Sequence, residues 1–423
     1  MNGEMKIFLE KASGFNQINN DQDGGWSADF RDRALNNIKS SGIPSSKTEK
    51  YRHMDMSAFL ASSVSSKDQQ QNAVVSTADY HFNFVGGYFR EDLTKKENLP
   101  SGLEYSLLGG SEVQDILAQF VDSTDFFQQM SNSFMDGGLL IKVKKNHTLD
   151  SPITIGNHDP KTNEALSLPR ILVVMEEGAS AELIEHYRGF KGVSWTQSLT
   201  EIYIEKRACL YHTSKNTGCP TGTQLNSTKV KVLGAGEYHN LSLFLGGKKS
   251  RNNLDVELLG EHAHCELVGL FSNDDSGICQ NFTHIHHRVG DTTSVQYYKG
   301  LLDQKSLGVF NGTIFVHPKA QKIDSNQLNK NLLLSNLAHV ETKPTLEIHA
   351  DDVKCSHGAT IGRLQEDEIF YLQSRGITKK RAVQILSEAF AIDAIYKFKG
   401  TQDREATVLY VKEFLETLPA LKG

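Results

Sequence analysis

No CxxC pair occurs among the five cysteines of this 423-residue chain. The sequence therefore indicates neither a structural zinc site nor a disulfide framework. No apolar run approaches the ~18 residues that a membrane helix needs. The first residues carry Glu4 and Glu10 and lack the apolar stretch of a signal peptide. We therefore expect a cytoplasmic protein with reduced thiols and no membrane partner.

An excess of positive charge is also absent. Lysine and arginine total 45 against 51 acidic residues, which gives a net charge of −6. This balance argues against nucleic acid or an anionic membrane surface as the main partner. The GxGxxG, Walker A, GxSxG and HExxH motifs are missing as well, so the chain offers no nucleotide site of its own.

The middle of the chain contains eight short apolar segments whose starts lie about 26–33 residues apart, a spacing typical of stacked repeats. In most segments the apolar residues alternate, as Val230 and Val232 do, so each strand turns one row inward. A single unit of this size cannot bury its inner face, whereas a stack of units can. The pattern predicts a mainly β fold, a parallel β-helix. The segments begin at Leu139, Ile171, Glu201, Lys229, Asp255, His284, Thr313 and Leu346.

A large antiparallel sandwich or barrel is the alternative, because it also produces short strands at regular intervals. Asn-Gly and Asp-Gly pairs do not recur at the spacing that two-residue hairpins would require. This favours the β-helix.

Helical patterns flank the repeats. We predict an N-terminal helical region and linker over residues 1–75, with residues 62–76 as a polar, solvated stretch. A strand-rich core follows over residues 76–362, with clear repeats from about residue 139. A C-terminal helical domain covers residues 363–423. In that domain Ile385, Leu386, Ala389 and Phe390 fall on one apolar stripe, which would be a docking surface if exposed.

Two pairs of histidines suggest a metal site. On strands, His262 and His264 share a face, as do His284 and His286, and stacking could make the pairs neighbours. No nearby set of carboxylate and cysteine completes a coordination shell. Solvated histidines on the outside of a solenoid are therefore the favoured interpretation.

Cys355 and His357 form a sharper pair, because strand geometry puts both side chains on one face. Thiolate and imidazole suit iron in clusters or zinc. Two ligands are too few for a tight site, so the others would come from another chain or from sulfide. The alternative is a buried apolar cysteine beside an ordinary strand histidine, and spacing alone favours it.

Two other polar features favour structural explanations. The adjacent acids Asp274–Asp275 and Asp351–Asp352 cannot straddle a sugar bond if they lie on strands, because neighbours there face opposite sides. The polar run over residues 324–331 is typical of amide and hydroxyl side chains that form a ladder in a turn of a solenoid.

Residues 343–360, KPTLEIHADDVKCSHGAT, closely resemble the SufB/SufD family of the SUF system for iron–sulfur cluster assembly. The similarity continues through residues 361–364 and 368–377, and it is dense from about residue 305 to 395. The run Phe310-Asn311-Gly312 also looks like that family. So do Pro44, Lys47, Glu49, Tyr51 and Arg52 near the N-terminus.

The resemblance implies a right-handed parallel β-helix between helical regions, in a scaffold subunit that is not an enzyme. It implies that the last β-helix strands pair with SufB and that the C-terminal helices, around Ile385 and Phe390, dock the ATPase SufC. ATP would be bound by SufC only. His357 matches the family's cluster-site histidine, with Cys355 beside it. An iron–sulfur cluster would be held transiently in the complex, and none stably by the isolated chain. A homodimer of the isolated chain is an alternative assembly.

Within this family the sequence resembles the SufD branch. SufB-type chains are longer and commonly carry an N-terminal cysteine motif, whereas the first cysteine here is Cys209. Ser356 and Gly358 flank the histidine where SufB has acidic neighbours, and residues 327–337 contain no cysteine. A SufB-like paralogue, a pure interaction module and a carbohydrate-active β-helix enzyme remain the alternatives.

Overall fold

The computed structural model describes most of the chain. The described residues are 3–19, 26–44, 47–54, 56, 59–60, 81–95, 99–109, 111–121, 124–135, 137–158, 166–188, 195–400 and 402–422. The polar stretch predicted over residues 62–76 lies entirely outside them. None of the helices in these ranges is long and apolar enough to cross a membrane.

The strands, numbered along the chain, form two sheets. The first sheet contains β1 (Phe82–Val85), β2 (Tyr88–Phe89), β5 (Ile153–His158), β8 (Ser180–Tyr187), β10 (Cys209–Thr217), β12 (Glu237–Leu245), β14 (His264–Asn273), β16 (Thr293–Leu302), β18 (Ile323–Leu333) and β20 (Val353–Gly362). The second contains β3 (Leu103–Leu107), β4 (Leu139–Val143), β6 (Leu166–Ser167), β7 (Arg170–Met175), β9 (Trp195–Ile204), β11 (Thr223–Val232), β13 (Lys249–Leu258), β15 (Ile278–His287), β17 (Leu307–Val316) and β19 (His339–Ile348).

From β7 onward the chain alternates between the two sheets, and each strand pairs in parallel with the strand one full coil later. This is a parallel β-helix, as predicted. The eight repeating segments all lie in the second sheet, in the order β4, β7, β9, β11, β13, β15, β17 and β19. The sequence period is therefore the length of one coil.

Stacked aliphatic side chains fill much of the interior. In one column each residue lies beside its equivalent in the next coil. Burial of each such side chain contributes about 1.5–3 kcal/mol before the entropy of ordering is subtracted. Seven of the eight are fully buried, and only the last is partly exposed, because no coil covers it. The column contains Ile141, Val173, Ile202, Val230, Val256, Ile285, Ile314 and Leu346.

Helices cover the outer faces of both sheets. They are α1 (Gly3–Asn19), α2 (Trp26–Ser41), α3 (Ser111–Phe120), α4 (Phe126–Ser133), α5 (Glu366–Ser374), α6 (Lys379–Lys397) and α7 (Arg404–Leu415). The N-terminal helices and α4 share an apolar cluster with Trp195 and Leu225 of the second sheet. Helices α6 and α7 bury Ala391 and Val411 against Leu243 and Leu270 of the first sheet. Helices α3 and α4 lie inside the range predicted to be rich in strands.

The two ends of the stack differ. At the beginning, short strands run antiparallel to their neighbours: β2 pairs with β1, and β3 pairs with β4. At the other end β19 and β20 are the outermost strands of the two sheets, and both pair in parallel with the preceding coil. The last coil therefore leaves a regular parallel edge open to solvent.

Candidate functional site

Strand β20 is unusually exposed for a strand of this length. In β18 the interior-facing residues Ser325, Gln327 and Asn329 are buried, whereas the residues opposite them on β20 are half-buried or exposed. Ile361 on the same row is 53% exposed. These side chains point along the interior face of a coil that no described residue covers, so the end of the β-helix is an uncovered surface in the part of the chain that the structure describes.

Cys355 and His357 lie on this uncovered row. Their register partners on β18 are Ser325 and Gln327, so both point to the interior side, as the alternation predicts. Cys355 is half-buried and packs against the apolar core, while His357 is exposed. Burial raises the pKa of the Cys355 thiol, and the nearby Asp324 carboxylate adds to the increase. Cys355 is therefore a neutral thiol at pH 7 until a metal or a cationic partner stabilises the thiolate.

A neutral polar layer lies beneath the pair. Gln327 donates from Nε2 to Oε1 of Gln296, 2.5 Å away, and the hydroxyls of Ser325 and Ser294 are 2.7 Å apart. The polar run therefore forms a ladder, as predicted, but on strand β18 rather than in a turn. The interior-facing positions of β16 and β18, all of them described, carry no thiol, imidazole or carboxylate. Any further ligands for Cys355 and His357 must come from outside this part of the chain.

The predicted histidine pairs do not meet. His264 begins β14 in the first sheet, whereas His284 and His286 lie on β15 in the second sheet. His284 is held by the Asp255 carboxylate, with Nδ1 2.5 Å from Oδ1. His262 lies in a turn with φ +64°. Stacking therefore does not make the two pairs neighbours, because successive strands alternate between sheets, and the metal hypothesis that was not favoured for them gains no support.

Both adjacent acid pairs lie in turns. Asp274–Asp275 separates β14 from β15, and Asp351–Asp352 separates β19 from β20. The argument that neighbouring residues on a strand face opposite sides therefore does not apply to these two acid pairs. Asp275 has the positive φ of a tight turn, +50°.

The predicted docking residues on α6 are divided between two environments. Ile385 and Leu386 are half-buried and Ala389 is exposed. Phe390 is partly buried in the contact with the first sheet, where the Lys299 ammonium lies 4.4 Å from its ring centre. The stripe is therefore not one free surface, because its Phe390 end contributes to packing within the chain.

Two large aromatic residues on the neighbouring helix α5 are exposed. Phe370 and Tyr371 are 70% and 56% exposed. Among the described helices and strands, α6 is the only one with which α5 makes extensive contact. Helix α5 therefore projects away from the β-helix. The sequence prediction did not select these two residues as docking residues. The available sequence signal was two adjacent large aromatic residues in a segment predicted to be helical, and the structure then shows that Ile369 is the buried residue of this helix.

The fold and the uncovered pair define a class of protein: a parallel β-helix with helical units on both faces and a thiol–imidazole pair at one end. A family model described as "SUF system FeS cluster assembly, SufBD core domain" matches residues 158–390. The chain therefore belongs to the SufBD family of the SUF system for iron–sulfur cluster assembly. The match spans most of the β-helix and the start of the C-terminal helices.

Curated relatives agree with this assignment. The chain is 31% identical to the iron–sulfur cluster assembly protein SufD of Escherichia coli, over 85% of this chain and 86% of that protein. It is 28% identical to the chloroplastic protein ABCI7 of Arabidopsis thaliana, over 91% of this chain and 86% of that protein. It is also 28% identical to a SufBD family protein of Synechocystis, over 85% of both chains.

Proposed function

We propose that this chain is a SufD-type scaffold subunit that catalyses no reaction itself. It holds a SufB partner at the open end of its β-helix and the ATPase SufC on its C-terminal helices. Cys355 and His357 supply two ligands to an iron–sulfur cluster that is the cargo of the complex. The observation that carries the proposal is the uncovered thiol–imidazole pair on an open β-helix edge, in a chain of the SufBD family.

The open edge supports a β-structured partner. Unpaired backbone groups on a regular strand edge bind another strand, and proteins normally protect such edges. Both sheets present their edges at the same end, on β19 and β20. A partner β-helix would continue both sheets and cover Ile361, Cys355 and His357. It would also exclude water from the cluster and supply the missing ligands.

Replacing Ile361 by aspartate should weaken the pairing with SufB by about 30-fold. SufB would cover this position in the complex, so a carboxylate placed there would weaken binding by about 2 kcal/mol or more. The side chain is already 53% exposed in the single chain, so folding should be little affected. The measurement is the dissociation constant for purified SufB.

Leu107→Asp is the matched control for Ile361→Asp. Leu107 is 49% exposed and lies on β3, at the opposite end of the stack. Equal binding of SufB by the wild-type chain and Ile361→Asp, or equal weakening by both variants, would contradict pairing at the open end.

The free face of α5 and α6 supports docking of a second partner. It combines Phe370 and Tyr371 with the half-buried Ile385 and Leu386 and the exposed Ala389. Exposed aromatic residues in a cluster are typical anchors of protein interfaces. We assign this face to SufC.

The double variant Phe370→Ala/Tyr371→Ala should weaken SufC binding by about 30-fold, which corresponds to roughly 2 kcal/mol of lost anchor contacts. The measurement is titration with purified SufC. Ile361→Asp is the control, since it should retain SufC while losing SufB. If the double variant binds SufC as tightly as the wild-type chain, the docking surface lies elsewhere.

Contacts between α6 and the first sheet provide a route from the ATPase to the cluster site. Asp393 on α6 lies 2.7 Å from the Lys299 ammonium and accepts a hydrogen bond of 2.8 Å from the Tyr297 hydroxyl. Both partners are on β16, two strands from β20 in the same sheet. ATP-driven closure of two SufC subunits, one on each scaffold chain, would pull on α6 and shift the open end. Access of iron and sulfur to His357 would then be gated.

The proposed compartment is the cytoplasm. All five cysteines are free thiols, as expected in a reducing compartment. Nucleic acid and membrane are not proposed as partners, and ATP is bound by SufC alone.

A further inference from the structure

A second group of metal-binding side chains lies on the outer face of the first sheet, far from the open end. It occupies the beginnings of β10, β12 and β14. The register places Cys209 beside Glu237, and Tyr211 beside His239. On the next strand, His264 lies beside Glu237 and Glu266 beside His239. The spacings of 28 and 27 residues correspond to one coil, so no short sequence motif marks the group.

The ligand atoms converge. The thiol sulfur of Cys209, a carboxylate oxygen of Glu237 and a ring nitrogen of His239 all lie within 4.8 Å of one another. His239 is fully buried, whereas Glu237 is exposed and Cys209 is half-exposed. Sulfur, nitrogen and oxygen from three strands thus meet at a point that solvent can reach from the Glu237 side.

The His239 ring is oriented as metal-binding imidazoles usually are. Its Nδ1 lies 3.2 Å from the Glu266 carboxylate, and its Nε2 lies 2.9 Å from the Glu237 carboxylate. A ligating histidine commonly donates its other ring N–H to a carboxylate, which fixes the tautomer and the ring plane. Glu266 fills that role, and Nε2 then faces the Glu237 carboxylate. Tyr211 stacks on the ring at 4.9 Å with an interplanar angle of 14° and holds it in place.

His264 supplies an independent observation beside the group. Its ring centre is 5.4 Å from that of His239, and its Nδ1 lies 2.7 Å from the Thr293 hydroxyl. The other ring nitrogen, Nε2, is buried without a hydrogen-bond partner. An unsatisfied buried nitrogen is costly unless a ligand or an ion satisfies it.

We propose that Cys209, Glu237 and His239 bind a divalent first-row transition metal, of the Zn²⁺ or Fe²⁺ type. Mixed sulfur, nitrogen and oxygen donors suit these borderline ions, and three protein ligands leave a further position open. Glu266 orients His239, and His264 is the neighbouring nitrogen for the open position. The Cys209 thiolate and the carboxylates of Glu237 and Glu266 carry three negative charges. A bound divalent ion would therefore leave a net charge of −1 on the group.

This site is distinct from the proposed cluster site. Strand β12 is separated from β20 by four steps along the first sheet, or about 19 Å at ~4.8 Å per step. It lies instead beside the C-terminal helices: Tyr211 contacts the Phe398 ring at 6.3 Å. The ion would therefore stabilise the contact between the β-helix and the helical unit proposed to dock SufC.

Cobalt titration of the full, chelator-treated chain tests the inference. Co²⁺ replaces Zn²⁺ or Fe²⁺ and gives a near-ultraviolet charge-transfer band only when a thiolate is a ligand. We expect one equivalent to produce the band in the wild-type chain and Cys209→Ser to abolish it. Glu266→Gln should keep the band but weaken binding by about 10–100-fold, because only the orientation of His239 is lost. Glu261→Gln, an exposed turn carboxylate outside the group, is the matched control.

Three results would overturn the inference: no band in the wild-type chain, a band that persists in Cys209→Ser, or a band that Cys355→Ser removes instead. The last would assign the metal to the open end. Circular dichroism verifies that each variant is folded, and a Zn²⁺-dependent rise in melting temperature of the wild-type chain gives a second readout of binding. Failure here leaves the SufB and SufC experiments unaffected.

Discussion

His357→Ala should reduce iron–sulfur cluster assembly in cells by about tenfold or more, while the variant still folds and still binds SufB and SufC. The loss follows from the proposed ligand role, since even indirect damage to a metal site typically lowers affinity 10–100-fold. The side chain is exposed in the single chain, so its removal leaves no cavity. The measurement is the activity of iron–sulfur enzymes in a strain that depends on this chain.

His349→Ala is the matched control for His357→Ala, because His349 is an exposed histidine in the turn just before β20. Cluster assembly at the wild-type level in His357→Ala, with both partners still bound, would refute the ligand role. A loss of SufB binding would instead assign His357 to the interface alone. Comparison with Cys355→Ser separates the contributions of thiol and imidazole.

Glu201→Ala should lower the free energy of unfolding by about 3–5 kcal/mol. Glu201 is fully buried and receives two hydrogen bonds, of 3.1 and 2.8 Å, from the Nε and Nη2 atoms of Arg170 to its Oε2. Arg170 also donates to the Asn132 side chain at 2.7 Å, which ties α4 to the second sheet. Removing one member of a buried ion pair leaves the other charge unpaired. Chemical denaturation monitored by circular dichroism measures the change.

Two comparisons sharpen that experiment. Arg170→Met/Glu201→Leu should recover much of the lost stability, because no unpaired charge then remains buried. Lys144→Ala, which breaks the exposed pair with Glu104, should change stability by less than about 1 kcal/mol. If Glu201→Ala were no more destabilising than Lys144→Ala, the buried pair would not hold α4 in place.

One sheet of the β-helix could be predicted from sequence better than the other. All eight repeating segments belong to the second sheet, where a continuous column of aliphatic residues produces clear alternation. In the first sheet, interior positions such as Asn240, Gln296 and Gln327 are polar and buried. Their hydrogen bonds with neighbouring coils replace apolar burial, so a hydropathy pattern cannot detect them.

The C-terminal helices illustrate a different limit. Thr378 accepts a hydrogen bond from the Arg381 amide at 3.3 Å, and Gly376 has φ +84°, so a threonine cap begins α6 and a glycine follows the end of α5. The inward face of α6, however, consists largely of small residues such as Ala382, Ser387 and Ala391. Small side chains let a helix approach a sheet closely, whereas hydropathy ranks Ile385 and Leu386 above them. The sequence therefore indicated an apolar face without revealing which side was already covered.

Distance along the chain explains what was missed near Cys209. Its neighbours Glu237 and His239 are 28 and 30 residues away, and only the exact coil register brings them together. Cys355 and His357 were detected because their relation is local: two positions along one strand always share a face.

The unlike ends of the stack also determine how large an assembly can grow. Copies of a rod with two matching parallel ends would join head to tail without limit and form fibres. Here the beginning is closed by the antiparallel strands β2 and β3, and among the described strands only β19 and β20 present a parallel edge at an end of the stack. The proposed pairing with SufB through this edge would therefore join two β-helices end to end and stop there, with SufC bound at the side.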